Sequence, residues 1–287
     1  MLRTPVLLII FNRPDTAQQV FDAIRQTQPR QLFVAADGPR EDKDVEAEKC
    51  QRTREIVKQV DWDCELRTLF QEKNLGCGLG PATAITWFFD NVEEGIILED
   101  DCLPHPDFFV FCETLLDYYR DDEKIMEISG DNFQRGLKRG NASYYFSAYP
   151  HGGGWATWRR AWKRFDYGLV PPDEAKHVWD HQWLISIKKN NGLTVVPNVN
   201  LVSNIGYSIE ATHTTGPSIY ANLPTKSLVF PLTHPKKIAP NKAADRYDSP
   251  IRGEPTIIGV MILRISKILP PKMRKALRYI RLHGRLG

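Results

Sequence analysis

Three carboxylates stand in a row at Glu99-Asp100-Asp101, directly after the apolar run Gly95-Ile-Ile-Leu98. Like charges at the end of a buried strand repel one another, so the triplet is costly unless a cation neutralises it. A divalent ion such as Mn2+ or Mg2+ takes oxygen ligands and keeps positions open for a diphosphate. Held here, it would offset the charge that develops on a departing diphosphate. A solvated acidic turn is the other reading of the same residues. Asp37 is a second candidate, because a carboxylate closing a strand can accept hydrogen bonds from a ribose or a base. Within Asp37-Gly38-Pro39 it suits an Asx-turn, the reading that the tripeptide by itself favours.

The elements that must position these residues follow from the hydrophobic pattern. Residues 6–11 form a continuous apolar run, as a strand buried on both faces requires. After Pro14, the residues Ala17, Val20, Phe21 and Ile24 fall at helical spacing. Strands are expected at 31–36, 65–70 and 95–98, with a polar-faced helix over 45–60 and another opened by Gly76-Cys-Gly-Leu-Gly80. This alternation predicts an α/β fold with a mostly parallel central sheet flanked by helices. Its ligand crevice belongs at the carboxyl ends of the strands, where Asp37 and Glu99–Asp101 stand. Beyond residue 105 the pattern predicts a helix over 107–119, strands at 125–129 and 144–148, and a helix over 178–189. Trp155, Trp158 and Trp162, at i, i+3 and i+7, suit one apolar helix face. Gly152–Gly154, just before them, suit a backbone that approaches a ligand closely. Residues 217–255, rich in Pro, Asn and Lys, are expected to be irregular.

Bulk properties narrow the class. The chain has 287 residues, 42% hydrophobic and 25% charged, with a net charge of +3. That is an ordinary composition with material for a sizeable core. Eight basic residues and no acid lie between Arg264 and Gly287, leaving a mildly acidic body. A nucleic-acid partner is not expected, since positive charge would then sit on the folded body. Five cysteines with no CxxC pair suit reduced thiols and a cytoplasmic setting. No phosphate-binding G-x-x-x-x-G-K-[ST] motif occurs, and Gly76–Gly80 is neither complete nor placed as a dinucleotide fingerprint.

Taken in order, these pieces resemble the GT-A nucleotide-sugar transferases, and among them the N-acetylglucosaminyltransferase I group, over about residues 5–215. The resemblance implies a nucleotide contact at Asn12-Arg13, a nucleoside contact at Asp37, and a metal ligand at Asp101. Glu99 and Asp100 complete the donor site, followed by the helix start Pro106-Asp107-Phe108-Phe109 and the loop Asp131-Asn132. Gly152-Gly-Gly-Trp155 matches the family's glycine-rich stretch and adds Trp155 to the nucleotide-sugar site. Trp179-Asp-His-Gln-Trp183 matches its Trp-Asp-Asp-Trp motif with one residue inserted and the second Asp replaced, so Asp180 is the implied catalytic base and His181 its alternative. His213 matches a downstream histidine that completes the metal or diphosphate site. A carboxylate between two tryptophans would be partly desolvated, which raises its basicity toward an acceptor hydroxyl; indole faces also suit sugar rings.

The expected activity is metal-dependent, inverting transfer of a hexosyl group from a nucleoside-diphosphate sugar, UDP-linked by resemblance, to the hydroxyl of a glycan or lipid-linked acceptor. A nucleotide-sugar- or glycan-binding protein without turnover is the alternative, kept open by the altered Trp179–Trp183 motif. One domain is expected over 1–255, with a nucleotide-sugar half at 1–104, an acceptor half at 105–216 and the irregular segment at 217–255. Residues 256–287 form a basic amphipathic tail, either packed on the body or in peripheral contact with the inner face of a membrane.

Overall fold

The computed structural model describes residues 1–41, 43–169, 178–206 and 221–248. Met1–Asn241 form one compact unit, and the residues from Lys242 onward belong to a second. The first unit runs β1 (Val6–Ile10), α1 (Pro14–Thr27), β2 (Gln31–Ala36), α2 (Asp44–Arg54), β3 (Glu65–Phe70), α3 (Gly76–Asn91) and β4 (Glu94–Glu99). There follow β5 (Cys102–Pro104), α4 (Pro106–Tyr118), β6 (Ile125–Ser129), β7 (Tyr144–Ser147), β8 (Trp155–Trp158), α5 (Arg159–Trp162), α6 (Trp179–Lys189), β9 (Leu193–Pro197) and β10 (Val202–Asn204). Within the second unit, α7 spans Lys242–Asp248.

The order in the main sheet is β3-β2-β1-β4-β8-β6-β9-β7. β1 to β4 are parallel, β8 runs against β4 and β6, β9 is parallel to β6, and β7 is antiparallel to β9. The fold is therefore the α/β class expected, with a mostly parallel sheet. One core joins alternate strand residues such as Val6, Leu8, Val34 and Leu98 to α1 and α4. The other joins Leu7, Phe33 and Ile97 to α3, α5 and α6. Both faces of β1 are thus covered, which is why its sequence is unbroken apolar. The edge strand β3 carries Glu65 and Arg67 toward solvent, a guard against edge pairing.

The register carries the functional consequence. Ile10 pairs with Ala36 and Ile9 with Glu99, so β1, β2 and β4 end level with one another. The next residues, Asn12-Arg13, Asp37 and Asp100-Asp101, must then emerge at one edge of the sheet. A second, two-stranded sheet pairs β5 with β10, Asn204 opposite Cys102. It brings residues 204–206 beside the triplet, and Ile205 N–H donates to the Asp101 carbonyl at 2.8 Å.

Several expectations need correction. Trp155 and Trp158 lie on the strand β8, in opposite cores, and only Trp162 is helical. An extended segment sends residues three apart to opposite faces, and β8 is held extended by pairing on both sides. The segment 45–60 is α2 followed by a tighter 3-10 turn, Glu55–Gln59. Gly76 does open α3 as expected, at φ +79°, where a side chain would be strained. Residues 242–248 are helical in a stretch expected to be irregular. β9, buried throughout, and the short β5 and β10 were not expected at all. No helix among the described residues is long and apolar enough to cross a membrane; residues 256–287 lie outside them.

Candidate functional site

The level strand ends enclose a cleft of about 370 Å³. Its inner wall is apolar, with Ile9, Ala35, Leu69 and Ala84. Asn12, Arg40, Gln71 and Asn74 give polar groups around that wall, and Arg13 with Glu99, Asp100 and Asp101 supplies charge. One cavity therefore joins an apolar wall to a strongly charged cluster.

Arg13 Nη1 lies 2.5 Å from Asp101 Oδ2 and 3.8 Å from Asp100 Oδ1. Asp100 Oδ2 accepts the Phe11 N–H at 2.9 Å. Burial, then the charge of Asp101, pushes the Asp100 carboxyl up, with Arg13 opposing. Glu99 is pushed up to about 8 by burial and then by Asp101, Asp100 and Asp180, against a hydrogen bond from the Trp179 side chain. The three carboxylates thus crowd as the sequence suggested, and the chain supplies a guanidinium of its own among them. A divalent ion suits these oxygen donors, but no group of three or more His, Cys, Asp or Glu is gathered around a metal position among the described residues. An ion would be held by one or two carboxylates and completed by oxygens of a bound phosphate, the usual habit of Mg2+.

Asp37 lines the cleft, yet its carboxylate is engaged by the protein. Oδ1 accepts from Gly38 N–H at 2.9 Å and Leu75 N–H at 2.8 Å; Oδ2 accepts from Gly76 N–H at 2.9 Å and Asn74 Nδ2 at 3.1 Å. It orders the entry to α3, where unpaired helical N–H groups need acceptors. Asn12 donates from Nδ2 to Glu46 Oε1 at 2.9 Å, and Glu46 also grips Arg40 through several contacts. That pairing holds Glu46 down at about 2. The Arg40 guanidinium in turn lies over the Phe11 ring, 5.7 Å from its centre.

Asp180 stands in the first turn of α6, with Oδ1 accepting the His181 N–H at 2.7 Å. The residue is exposed to solvent, and the protein atoms packed around its carboxyl raise its pKa, with His181 opposing. It is not a wall residue of the cleft, but its charge is felt at Glu99 and Cys77, which are. His181 is half-buried and outside the cleft wall. His213 lies outside the described residues.

Asp131 and Trp155 sit deeper. Asp131 is buried and accepts the Gly153 N–H at 2.9 Å; burial raises its carboxyl well above the usual range. Trp155 is buried and stacks on Trp179 at 5.6 Å and 16°. The glycine stretch is explained by protein contacts. A Cβ at Gly153 would meet the Asp131 carboxylate at 2.5 Å, and one at Gly154 would meet Val202 at 2.9 Å with φ at +94°.

Four features escaped the sequence reading. Glu127 ties the glycine stretch to α6, accepting from His151 N–H at 2.8 Å and Trp183 Nε1 at 2.7 Å. The Arg40–Glu46 pair, the Trp179–Glu99 contact and the close approach of Gly206 to Asp101 bridge residues remote in sequence or spaced without a motif. Only the run Trp179–Trp183 carried a local signal for any of them.

The sequence matches no protein-family model and no curated protein. Solved structures share parts of the fold. A cytidylyltransferase from Leptospira borgpetersenii is 12% identical, over 60% of this chain and 67% of that one, with a TM-score of 0.38. HddC from Yersinia pseudotuberculosis is 9% identical, over 55% and 77%, with a TM-score of 0.33. A UDP-glucose pyrophosphorylase complexed with UDP-glucose is 10% identical, over 68% and 90%, with a TM-score of 0.39. At these values the likenesses have no bearing on activity.

Proposed function

We propose that this protein is a glycosyltransferase that takes a nucleoside-diphosphate sugar as donor and an acceptor hydroxyl as nucleophile, with inversion. The observation that carries the reading is the union, in one cleft, of an apolar slot with the Arg13–carboxylate cluster. A nucleoside fits the slot, its base against Ile9, Leu69 and Ala84, with Asn12, Arg40, Gln71 and Asn74 as polar partners. Asp37 supports this slot by fixing the loop before α3, and any sugar hydroxyl that it accepts shares oxygens already bonded. The diphosphate then reaches Arg13. Asp101, flanked by Glu99 and Asp100, would hold a divalent ion that offsets charge on the leaving diphosphate; His213 is the proposed further ligand.

The acceptor side belongs to α6. Asp180 stands at its first turn, with a raised pKa and within electrostatic reach of Glu99. A carboxylate so placed takes the proton of an acceptor hydroxyl as that oxygen attacks the anomeric carbon. His181 is the neighbouring alternative. Trp155, behind Trp179, and Asp131, behind the glycine stretch, act as supports for this wall. The acceptor is a glycan or a lipid-linked sugar, and the tail 256–287 is proposed as a peripheral membrane contact on the cytoplasmic side.

The test is release of nucleoside diphosphate from a panel of UDP-, GDP-, CDP- and dTDP-sugars with Mn2+, with and without candidate acceptors. Asp180→Asn is expected to keep donor affinity while transfer falls by roughly 10²–10⁴-fold, the usual contribution of a general base. Near-normal turnover in Asp180→Asn beside a dead His181→Gln moves the base by one residue. No binding and no turnover of any nucleotide sugar overturns the reading.

A further inference from the structure

We infer that Arg13 is a built-in counter-cation that occupies Asp101 until a diphosphate arrives, so that a divalent ion enters with the diphosphate and not before it. The inference rests on the donor-site reading above and adds to it an order of binding.

Three observations support it. The Arg13–Asp101 pair is close, 2.5 Å, and partly sheltered, the side chains being 25% and 16% exposed. Of the neighbouring carboxylates, Asp100 already gives one oxygen to the Phe11 N–H. Asp101 is thus the ligand over which guanidinium and metal ion compete.

Second, the backbone closes over the pair. A Cβ at Gly206 would stand 2.1 Å from Asp101 Oδ2 and 2.7 Å from Arg13 Nη1. Ile205, beside it, is fastened to the Asp101 carbonyl at 2.8 Å. With glycine alone fitting against the pair, there is little room for an ion beside the guanidinium; one cation has to displace the other.

Third, Arg13 is the residue ahead of α1 and lines the cleft; Pro14, next to it at the first helical position, has no N–H, so the guanidinium is the charged donor at this corner. A diphosphate bound there offers the guanidinium a bidentate partner. The exchange then balances: Arg13 trades a carboxylate for phosphate oxygens, and Asp101 trades Arg13 for the ion. Without diphosphate, the ion must evict Arg13 with nothing for the guanidinium to gain. The coupling between the two ligands is therefore greater than simple bridging by a shared ion, and by linkage it is reciprocal.

The experiment is Mn2+ binding followed by electron paramagnetic resonance on wild type and Arg13→Gln, with and without inorganic pyrophosphate, a probe that is independent of the base. Pyrophosphate affinity in saturating Mn2+ is measured in parallel by calorimetry. Arg13→Gln is expected to bind Mn2+ alone at least ten-fold more tightly than wild type, and pyrophosphate at least ten-fold more weakly. A merely structural role for Arg13 would weaken both. Should Arg13→Gln not fold, Arg13→Lys serves, with Mn2+ affinity above wild type because an ammonium makes a poorer partner than the guanidinium fork. Equal affinity for Mn2+ alone in variant and wild type overturns the counter-cation role while leaving the donor site standing. No uptake of Mn2+ by either protein, even with pyrophosphate or a nucleoside diphosphate, overturns the metal-dependent donor site and this inference together.

Discussion

At the scale of single residues, Asp37 shows how a carboxylate that lines the cleft can be spent on structure. Asp37 receives four donors, and an amide cannot accept from all of them with both of its heavy atoms. Asp37→Asn should therefore destabilise the protein by roughly 2–4 kcal/mol as well as weaken nucleotide binding; thermal melts of the ligand-free variant check this, and an unchanged melting temperature would show that the contacts carry no net stability. Asp131 gives the opposite sign. Burial raises its carboxyl well above the usual range, so the native state holds this proton more tightly than the unfolded chain does. Its contribution to stability is present below the unfolded value near pH ~4 and is lost as pH rises through the folded value. Asp131→Asn, a mimic of the neutral acid, should leave stability near wild type at pH 4 and raise it above wild type at pH 8. A difference between variant and wild type that stays constant across this range would mean that the buried group is already ionised.

Among the elements, the junction of β4 with α3 sets how firmly the triplet is held. Gly95 lies where a Cβ would meet the Phe88 ring at 2.2 Å, and Phe88 is itself wedged against Phe33 and Phe89. Gly95→Ala overpacks this contact and should cost about 1–3 kcal/mol. Phe88→Leu in the same chain should recover part of the loss, since it relieves the clash; a double variant weaker than the sum of the two single changes would place the problem in β4 instead. Element boundaries were legible where one period dominated. The α1 core positions Ala17, Val20, Phe21 and Ile24 are all buried as their spacing required. β8 was not legible, because Trp-Ala-Thr-Trp satisfies a helical spacing and a strand equally and only its two partners choose.

For the whole molecule, the cleft ties stability to ligand. A nucleoside diphosphate with Mn2+ that binds only the native state should stabilise it by about 2.7 kcal/mol at a hundred times its dissociation constant. At 2–4 °C per kcal/mol for a chain of this size, that is a rise of roughly 5–10 °C in melting temperature. Mn2+ without nucleotide should give a far smaller shift, because Arg13 already stands at Asp101. Calorimetric melts with each ligand alone and with both together check the expectation; equal shifts for Mn2+ alone and for the pair would contradict it.

What the sequence determined by itself was the class of the fold and the sheet edge at which its candidate residues gather. Unbroken apolar runs demand strands buried on both faces, parallel strands demand crossover helices, and level strand ends then bring Asn12, Arg13, Asp37 and Glu99–Asp101 together. Tertiary structure alone decided what those residues do to one another. Nothing in the order of residues says that Asp37 is bound by the loop at 74–76, that Glu127 clamps the glycine stretch to α6, or that Gly206 arrives through a two-stranded sheet to close over Arg13 and Asp101. The physical reason is the range of the forces involved. Periodicity records the burial of a face, which each element expresses locally, whereas a hydrogen bond or an ion pair depends on a few ångströms between segments that only the folded chain brings within reach.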